Sequence, residues 1–297
     1  MKLANNDDLI AAADIGGSHI TVGFVQNGFP KIIDEYTVRI KLDSKGTREQ
    51  ILNAWFDAFE QLALTKNKTI ERIAFAMPGP FDYQQGVSLI RGLDKYESLY
   101  AENIKSIFAH HFNIDEINIL FRNDAEAFLH GEVMAAALAA DRRILGITLG
   151  TGFGSAISQY HATKDLNLGL TAFKDSIADD FLTTRWFRSA YEKAGRDGLD
   201  VQRVSYLARR GEPLALKLFD EFSENLTSIL HQCITELSPD DIIIGGNIAK
   251  AHDLFLPRVR KQLELLGIRV NFHLAQLGEH SAMVGSAYLF TPQTIIK

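Results

Sequence analysis

Cysteine is almost absent from this sequence, which has a single one, Cys233, among 297 residues. One thiol excludes an internal disulfide and any zinc site made from several cysteines, and it suits a reducing compartment. The thiol lies in the segment NLTSILHQCITELSP, where apolar residues recur at helical spacing. We therefore expect Cys233 to be a buried thiol on a helix.

Positive charge and long apolar runs are also scarce. The chain carries 31 Lys and Arg residues against 37 Asp and Glu residues, giving a net charge of -6 and a pI near 5.9. This balance argues against a protein that neutralises nucleic-acid phosphates. No apolar run approaches the roughly 20 residues that span a bilayer, and the first residues lack a charged leader followed by a long apolar core. We therefore expect a cytoplasmic protein that binds neither nucleic acid nor a membrane.

The composition is otherwise that of a globular protein, with 46% hydrophobic and 23% charged residues and enough chain for two domains. Helical spacing predicts a helix in TREQILNAWFDAFEQLALTK, capped by Thr47, and a shorter one in LYAENIKSIFAHHF. Alternating or short apolar runs predict the strands around these helices, near residues 9–15, 20–26, 32–40, 71–76 and 116–121.

A second set of elements begins with the predicted helix RNDAEAFLHGEVMAAALAA and the strand, glycine turn and strand of RRILGITLGTGFGSAISQY. Residues 144–158 thereby repeat the design of residues 9–25. The repeat implies an α/β protein of two similar domains facing each other across a cleft, each with one phosphate-binding hairpin. We place the smaller N-terminal domain at residues 1–121, completed by the closing helix at 281–297, and the larger domain at residues 122–280.

The glycine turn in AAADIGGSHITVGFV has two interpretations. Asp14 ends an apolar run typical of a buried strand, so its carboxylate would emerge beside the backbone N–H groups of Gly16 and Gly17. Such a turn can hold phosphate oxygens and a hydrated metal ion. A plain hairpin explains the same residues equally well, because Gly and Ser are ordinary hairpin residues and Asp tolerates tight turns.

Five motifs in order decide between these interpretations. They are ADIGGSH, AMPGPFD, RNDAEAFLHGE, ITLGTGFGSAI and IIIGGNIA. Together, over nearly the whole chain, this set resembles the ROK family of sugar kinases, which belongs to the larger actin, Hsp70 and hexokinase fold. The resemblance implies two ribonuclease-H-like (actin-like ATPase) domains. It also implies an ATP-dependent kinase, with Mg²⁺, that phosphorylates a hydroxyl of a hexose or hexose derivative.

The resemblance also assigns the nucleotide-binding residues. The first phosphate hairpin keeps a hydroxyl residue, serine, where the family usually has threonine, and the resemblance implies Mg²⁺ held largely through water near Asp14. A later pair of glycines lets the adenosine approach the backbone, because these residues have no Cβ. The residues implied are Asp14, Gly16, Gly17 and Ser18 in the first hairpin, Gly150, Thr151, Gly152 and Gly154 in the second, and Gly245 and Gly246 on the adenosine side.

For phosphoryl transfer, the resemblance assigns Asp124 as the general base that orients the sugar hydroxyl and takes its proton. Neighbouring Asn123 is expected to hydrogen-bond sugar hydroxyls, and Gly79 to contact the sugar through its backbone. The alternative is that Asn123 or Asp124 only caps the helix, while Gly79 only forms a rigid turn between two prolines. Glu132, further along this helix, is expected to be a solvated residue, the alternative being a group that supports the site from behind its ligands.

The sequence departs from the family pattern in the expected sugar pocket. The segment DLNLGLTAF has Asn167 where the family has a sugar-binding Glu, and Leu170 where it has a His. In IADDFLTTRW, the best alignment with the family places Asp179 at the position of a second Glu that contacts the sugar. If the alignment shifts by one residue, Asp180 takes that position. The family's cysteine cluster is missing, so zinc is predicted to be absent. The sugar itself is not identified by these residues.

Two alternative functions compete with the kinase. A sugar-sensing repressor of the same family carries a DNA-binding domain before the kinase-like body, and here the first phosphate motif already begins at Asp14. A non-catalytic or weakly catalytic regulator that binds sugar or nucleotide is favoured by the altered pocket and disfavoured by the presence of Asp124. Family precedent suggests a homodimer. The predicted partners are therefore a small sugar and ATP.

Overall fold

The computed structural model of the protein describes residues 9–93 and 95–291. The chain divides into two compact units. The first unit comprises Met1–Ala137 and Glu279–Lys297, and the second comprises Leu138–Gly278. Each unit has one five-stranded mixed sheet with helices. Among the described residues, no helix is both long and apolar enough to span a membrane.

The first unit contains the strands and helices predicted for the start of the chain. Its strands are β1 (Leu9–Ile15), β2 (His19–Gln26), β3 (Ile32–Lys41), β4 (Ile73–Met77), β5 (Phe81–Asp82), β6 (Val87–Ser88) and β7 (Ile119–Asn123). Its helices are α1 (Arg48–Lys66), α2 (Ile104–Phe112), α3 (Asp124–Ala136) and α8 (Ser281–Ala287). The main sheet has the order β3-β2-β1-β4-β7. The first three strands are antiparallel, and the β1–β4 and β4–β7 pairs are parallel.

Local chemistry explains where the long first helix begins and ends. The Thr47 hydroxyl accepts a hydrogen bond from the Gln50 backbone N–H, and the Gln50 side chain accepts one from the Thr47 backbone N–H. This reciprocal pair is a capping box. Asn67 ends the helix in the left-handed conformation that Asn tolerates. The buried face of α1 packs Trp55 and Phe59 against Phe75 of the sheet.

The second unit repeats the sheet of the first. Its strands are β8 (Ile144–Leu149), β9 (Phe153–Gln159), β10 (Ala162–Asp165), β11 (Ala172–Phe173), β12 (Ser176–Ile177), β13 (Asp241–Gly245) and β14 (Asn271–Leu274). Its helices are α4 (Thr184–Lys193), α5 (Val201–Arg209), α6 (Pro213–Leu237) and α7 (His252–Leu265). The order β10-β9-β8-β13-β14 has the same antiparallel and parallel pairings as the first sheet. The predicted repeat is therefore present, and Cys233 is buried on α6 as expected.

The division between the units differs from the expected one. We placed it after residue 121 and before residue 281, with the N-terminal domain the smaller. The structure instead keeps α3 in the first unit, which is the longer of the two. The reason is tight packing of α3 on α8. A Cβ on Gly285 would lie 1.8 Å from the Ala127 carbonyl oxygen, and a Cβ on Gly131 would lie 2.2 Å from the Ser281 carbonyl oxygen.

Glu132 lies in the same helix contact, and the expectation that it is solvated was wrong. Only 1% of its surface is exposed. The Ser281 hydroxyl donates a hydrogen bond of 2.5 Å to its carboxylate. A buried carboxylate needs such a partner because loss of hydration is otherwise uncompensated. Glu132 therefore belongs to the contact that joins α8 to α3.

Candidate active site

The first glycine turn joins β1 to β2 and has one fixed end and one open end. The Gly16 N–H donates to the His19 carbonyl over 2.9 Å, and the Tyr96 hydroxyl donates to the Gly16 carbonyl. Gly17 and Ser18 are exposed. The turn is therefore held at its base, while its tip is accessible to a ligand. Tyr96 was missed from the sequence, because nothing local to it indicates a contact 80 positions earlier.

Asp14 lies on the face of the sheet opposite to the aromatic core. Ala13 and Ile15 pack in that core, and successive strand residues point to opposite faces. The register places Asp14 beside Thr21 of β2, which is in turn beside Arg39 of β3. Helix α8 contacts β1 and β4 on this other face. The carboxylate is thus partly buried, with a cationic residue two strands away.

The electrostatic surroundings of Asp14 are unusual for a carboxylate. Burial, followed by the charge of Asp124, raises its pKa from 3.8 to about 7, while Arg39 lowers the pKa and Glu279 raises it. Arg39 and Glu279 form an ion pair of 2.7 Å. Asp124 therefore lies near enough to Asp14 for its charge to act on it, as do Arg39 and Glu279, which no sequence signal marked.

Asn123 and Asp124 both accept the Ala125 backbone N–H at the start of α3, over 2.8 and 2.9 Å. Asn123 caps α3, because its side-chain oxygen accepts from the Ala125 and Glu126 backbone N–H groups over 2.8 and 3.1 Å. Its side-chain nitrogen donates to the Tyr83 hydroxyl over 3.2 Å. Asn123 therefore caps α3, and its contact with a sugar hydroxyl stays a prediction. Asp124 is the first residue of α3, where the helix dipole favours an ionised carboxylate.

The turn after β4 lies beside Asn123. The Tyr83 hydroxyl donates to the Met77 carbonyl over 3.1 Å. A Cβ on Gly79 would lie 3.2 Å from that hydroxyl, so the glycine leaves room for the tyrosine. Tyr83 therefore connects this turn to the start of α3. It is another residue that the sequence alone did not indicate.

The second glycine turn joins β8 to β9 in the second unit. The Gly150 N–H donates to the Gly152 carbonyl over 3.1 Å, and Thr151 and Gly152 are exposed. Gly154 lies outside the turn, within β9, where it pairs with Thr148. The open tip of this turn is thus formed by Thr151 and Gly152.

Gly245 and Gly246 lie at the end of the neighbouring strand. Because β8 and β13 are parallel, both strands end at the same edge of the sheet. Gly246 has a φ of +87°, and a Cβ there would lie 2.4 Å from the Leu149 carbonyl oxygen. Only glycine fits this close approach without strain. The structure therefore brings the Gly246 turn next to the second hairpin, while Gly245 is buried inside β13.

The two segments expected to line the sugar pocket contact each other within the second unit, since a Cβ on Gly169 would lie 3.6 Å from an Asp179 carboxylate oxygen. Asn167 is exposed, and Leu170 has 64% of its surface exposed. Asp179 instead lies against the second hairpin. One of its carboxylate oxygens accepts from the Phe153 N–H over 2.6 Å, and the other accepts from Arg185 over 2.5 Å. Asp180, the alternative, is exposed and accepts from the Ser176 hydroxyl.

The described residues contain no group of three or more His, Cys, Asp or Glu side chains placed to hold a metal ion. Sites that bind Mg²⁺ with a nucleotide usually supply only one or two protein carboxylates, because phosphates and water complete the coordination. Asp14, beside the open tip of the first turn, fits that requirement. Arg39 and Asp124 lie close enough to influence its charge.

The chain matches known proteins over most of its length. The model of the ROK family matches residues 10–163 and 178–293. The N-acetyl-D-glucosamine kinase of Photobacterium profundum is 22% identical over 93% of this chain and 97% of its own. The beta-glucoside kinase of Klebsiella pneumoniae is 24% identical over 95% of each chain.

A solved structure shows the same fold. The ROK family glucokinase from Streptomyces griseus, in complex with glucose and AMPPNP, superposes with a TM-score of 0.79 at 21% identity and covers 95% of this chain and 98% of its own. The family and the fold class inferred from the five motifs are therefore confirmed.

Proposed function

The chain belongs to the ROK family, and we propose that it is an ATP-dependent kinase that phosphorylates a hydroxyl of a hexose or hexose derivative. The observation that carries the proposal is the position of Asp124 at the first residue of α3, close enough to Asp14 for its charge to raise the Asp14 pKa. Asn123 is the N-cap residue of α3, and the Asp124 carboxylate also accepts the Ala125 N–H over 2.9 Å, which fixes its direction at the start of the helix.

Asp124 is placed to act on the acceptor hydroxyl. The positive end of the α3 dipole favours the ionised form of this carboxylate. A sugar hydroxyl hydrogen-bonded to this carboxylate would point its oxygen at the γ-phosphorus and pass its proton to Asp124 as the new P–O bond forms. Gly79 and the remaining Asn123 N–H lie at the same end of the strands and could position the sugar.

Each unit supplies one turn suited to phosphate oxygens. In the first unit the accessible part is Gly17 and Ser18, and in the second it is Thr151 and Gly152, with Gly246 alongside. Mg²⁺ bound with ATP neutralises charge on the phosphate oxygens. Asp14 is the residue that would hold the ion, largely through water. An ion of opposite charge there would relieve the repulsion between Asp14 and Asp124.

The decisive experiment is ATP consumption by the purified protein across a panel of aldoses, ketoses and amino sugars. We expect turnover with at least one hexose or hexose derivative. Relatives named as kinases of glucose, N-acetylglucosamine and beta-glucosides define the first sugars to try. Binding of sugar and nucleotide without turnover for any sugar would overturn the proposal and favour the regulator, to which the exposed Asn167 and Leu170 point.

A cytoplasmic location and a homodimer complete the proposal. The buried, unpaired Cys233 supports a reducing compartment. The homodimer rests on family precedent. Light scattering of the purified protein tests it, and a mass of about 33 kDa, that of one chain, would contradict it.

A further inference from the structure

The short segment from Asp179 to Arg185 holds both ends of the second glycine turn. At one end, the Thr184 N–H donates to the Gly150 carbonyl over 2.8 Å. At the other end, Asp179 accepts the Phe153 N–H over 2.6 Å. Two hydrogen bonds from one segment therefore hold the turn, and the conformation of the turn depends on that segment.

The surroundings of Asp179 leave its carboxylate little freedom. A Cβ on Gly152 would lie 3.5 Å from one carboxylate oxygen, and a Cβ on Gly169 would lie 3.6 Å from the same atom. These are van der Waals distances, so the carboxylate packs closely against both backbones. Only 20% of the Asp179 side chain is exposed, and each of its two oxygens already accepts a hydrogen bond within the unit.

A carboxylate beside a phosphate-binding turn would repel ATP unless its charge were balanced. Arg185 supplies that balance through the 2.5 Å ion pair with Asp179. The pair leaves most of the guanidinium accessible, since 67% of the Arg185 side chain is exposed. A guanidinium has five N–H donors in a planar fork that matches phosphate oxygens.

We propose that Asp179 is a positioning residue for the second hairpin and for Arg185, that it is not a sugar ligand, and that Arg185 contacts a phosphate oxygen of ATP. This inference rests on the proposed function, because it takes the second hairpin to be a nucleotide site. It reverses the role that the sequence assigned to Asp179. It also gives a role to Arg185, which the sequence did not mark.

The test compares nucleotide and sugar affinities in four variants. Calorimetry gives the affinity for AMPPNP with Mg²⁺, and steady-state kinetics give KM for ATP and for the sugar. Arg185→Gln should weaken AMPPNP binding about tenfold, the order expected from losing one charge-assisted contact to phosphate, and Arg185→Lys should restore part of it. Arg188→Gln, an exposed arginine on the same helix, is the matched control and should leave both affinities unchanged.

Asp179→Ala should raise KM for ATP and lower kcat while KM for the sugar stays within about twofold. A rise in the sugar KM with unchanged AMPPNP affinity would overturn the inference and restore Asp179 as a sugar ligand. Unchanged AMPPNP affinity in Arg185→Gln would also overturn it, and this exposed substitution does not threaten folding. A parent protein that binds AMPPNP but phosphorylates no sugar overturns the proposed function alone.

Discussion

Replacing Asp14 by asparagine should make the ligand-free protein more stable at alkaline pH. The folded chain holds the Asp14 proton up to a pKa of about 7, whereas an ordinary aspartate releases it near 3.8. Between these values the unfolded chain binds fewer protons, so the stability of the parent falls as pH rises. About three pH units at 1.36 kcal/mol each give roughly 4 kcal/mol at pH 8.

The assay is thermal or urea unfolding of parent and Asp14→Asn without Mg²⁺ or nucleotide, at pH 5 and pH 8. Proton linkage predicts that more than half of the stability gained by Asp14→Asn, about 2 kcal/mol or more, appears as the pH rises from 5 to 8. For a unit of about 150 residues, each kcal/mol corresponds to about 2–4 °C in Tm. Asp57→Asn, an exposed position on α1, removes the same charge and should have little effect. An equal stability difference at both pH values, or a variant less stable at pH 8, would refute the reasoning.

Three further outcomes are expected. Asp124→Asn should lower turnover about 10²–10⁴-fold while sugar and AMPPNP still bind, because the shape remains and the proton acceptor is lost; turnover within a few-fold of the parent would contradict its role. The purified protein should contain no stoichiometric zinc and keep its circular dichroism spectrum in chelator, whereas one zinc per chain by elemental analysis would show that prediction to be wrong. Burial alone would raise the pKa of Asp241, but hydrogen bonds from Arg142 and His273 hold that pKa below its ordinary value of 3.8. The ionised Asp241 carboxylate therefore stabilises the fold above about pH 4, and this stabilisation is lost in acid. Asp241→Asn should therefore cost about 1.5–3 kcal/mol in urea unfolding at pH 7 and less at pH 3, and an equal cost at both would refute this account.

The sequence alone determined the elements and the family. The periodicity of apolar residues predicts a strand and glycines predict a turn, and both patterns lie within about ten residues. For this reason β1 was predicted with its observed bounds, Thr47 was recognised as a cap, and the repeated hairpin was found at residues 144–158. The five motifs then indicated the ROK family, which the family match confirms.

Contacts between distant residues were decided only by the tertiary structure. Arg39 and Glu279 are 240 positions apart, and strand register with helix packing brings them together near Asp14. The boundary after Ala137 follows from α3 packing on α8, a contact that no local pattern marks.

The roles of single polar residues were also decided in three dimensions. Motif alignment places Asp179 in a family position, but its partners are set by which backbone N–H and which guanidinium lie within hydrogen-bonding distance. Likewise, either Asn123 or Asp124 could have capped α3, and the backbone geometry at the helix start assigned that role to Asn123. A short stretch of sequence shows the periodicity of a helix or strand and the residue types of a turn. A hydrogen bond between distant residues is determined only when the folded chain has placed both of its partners.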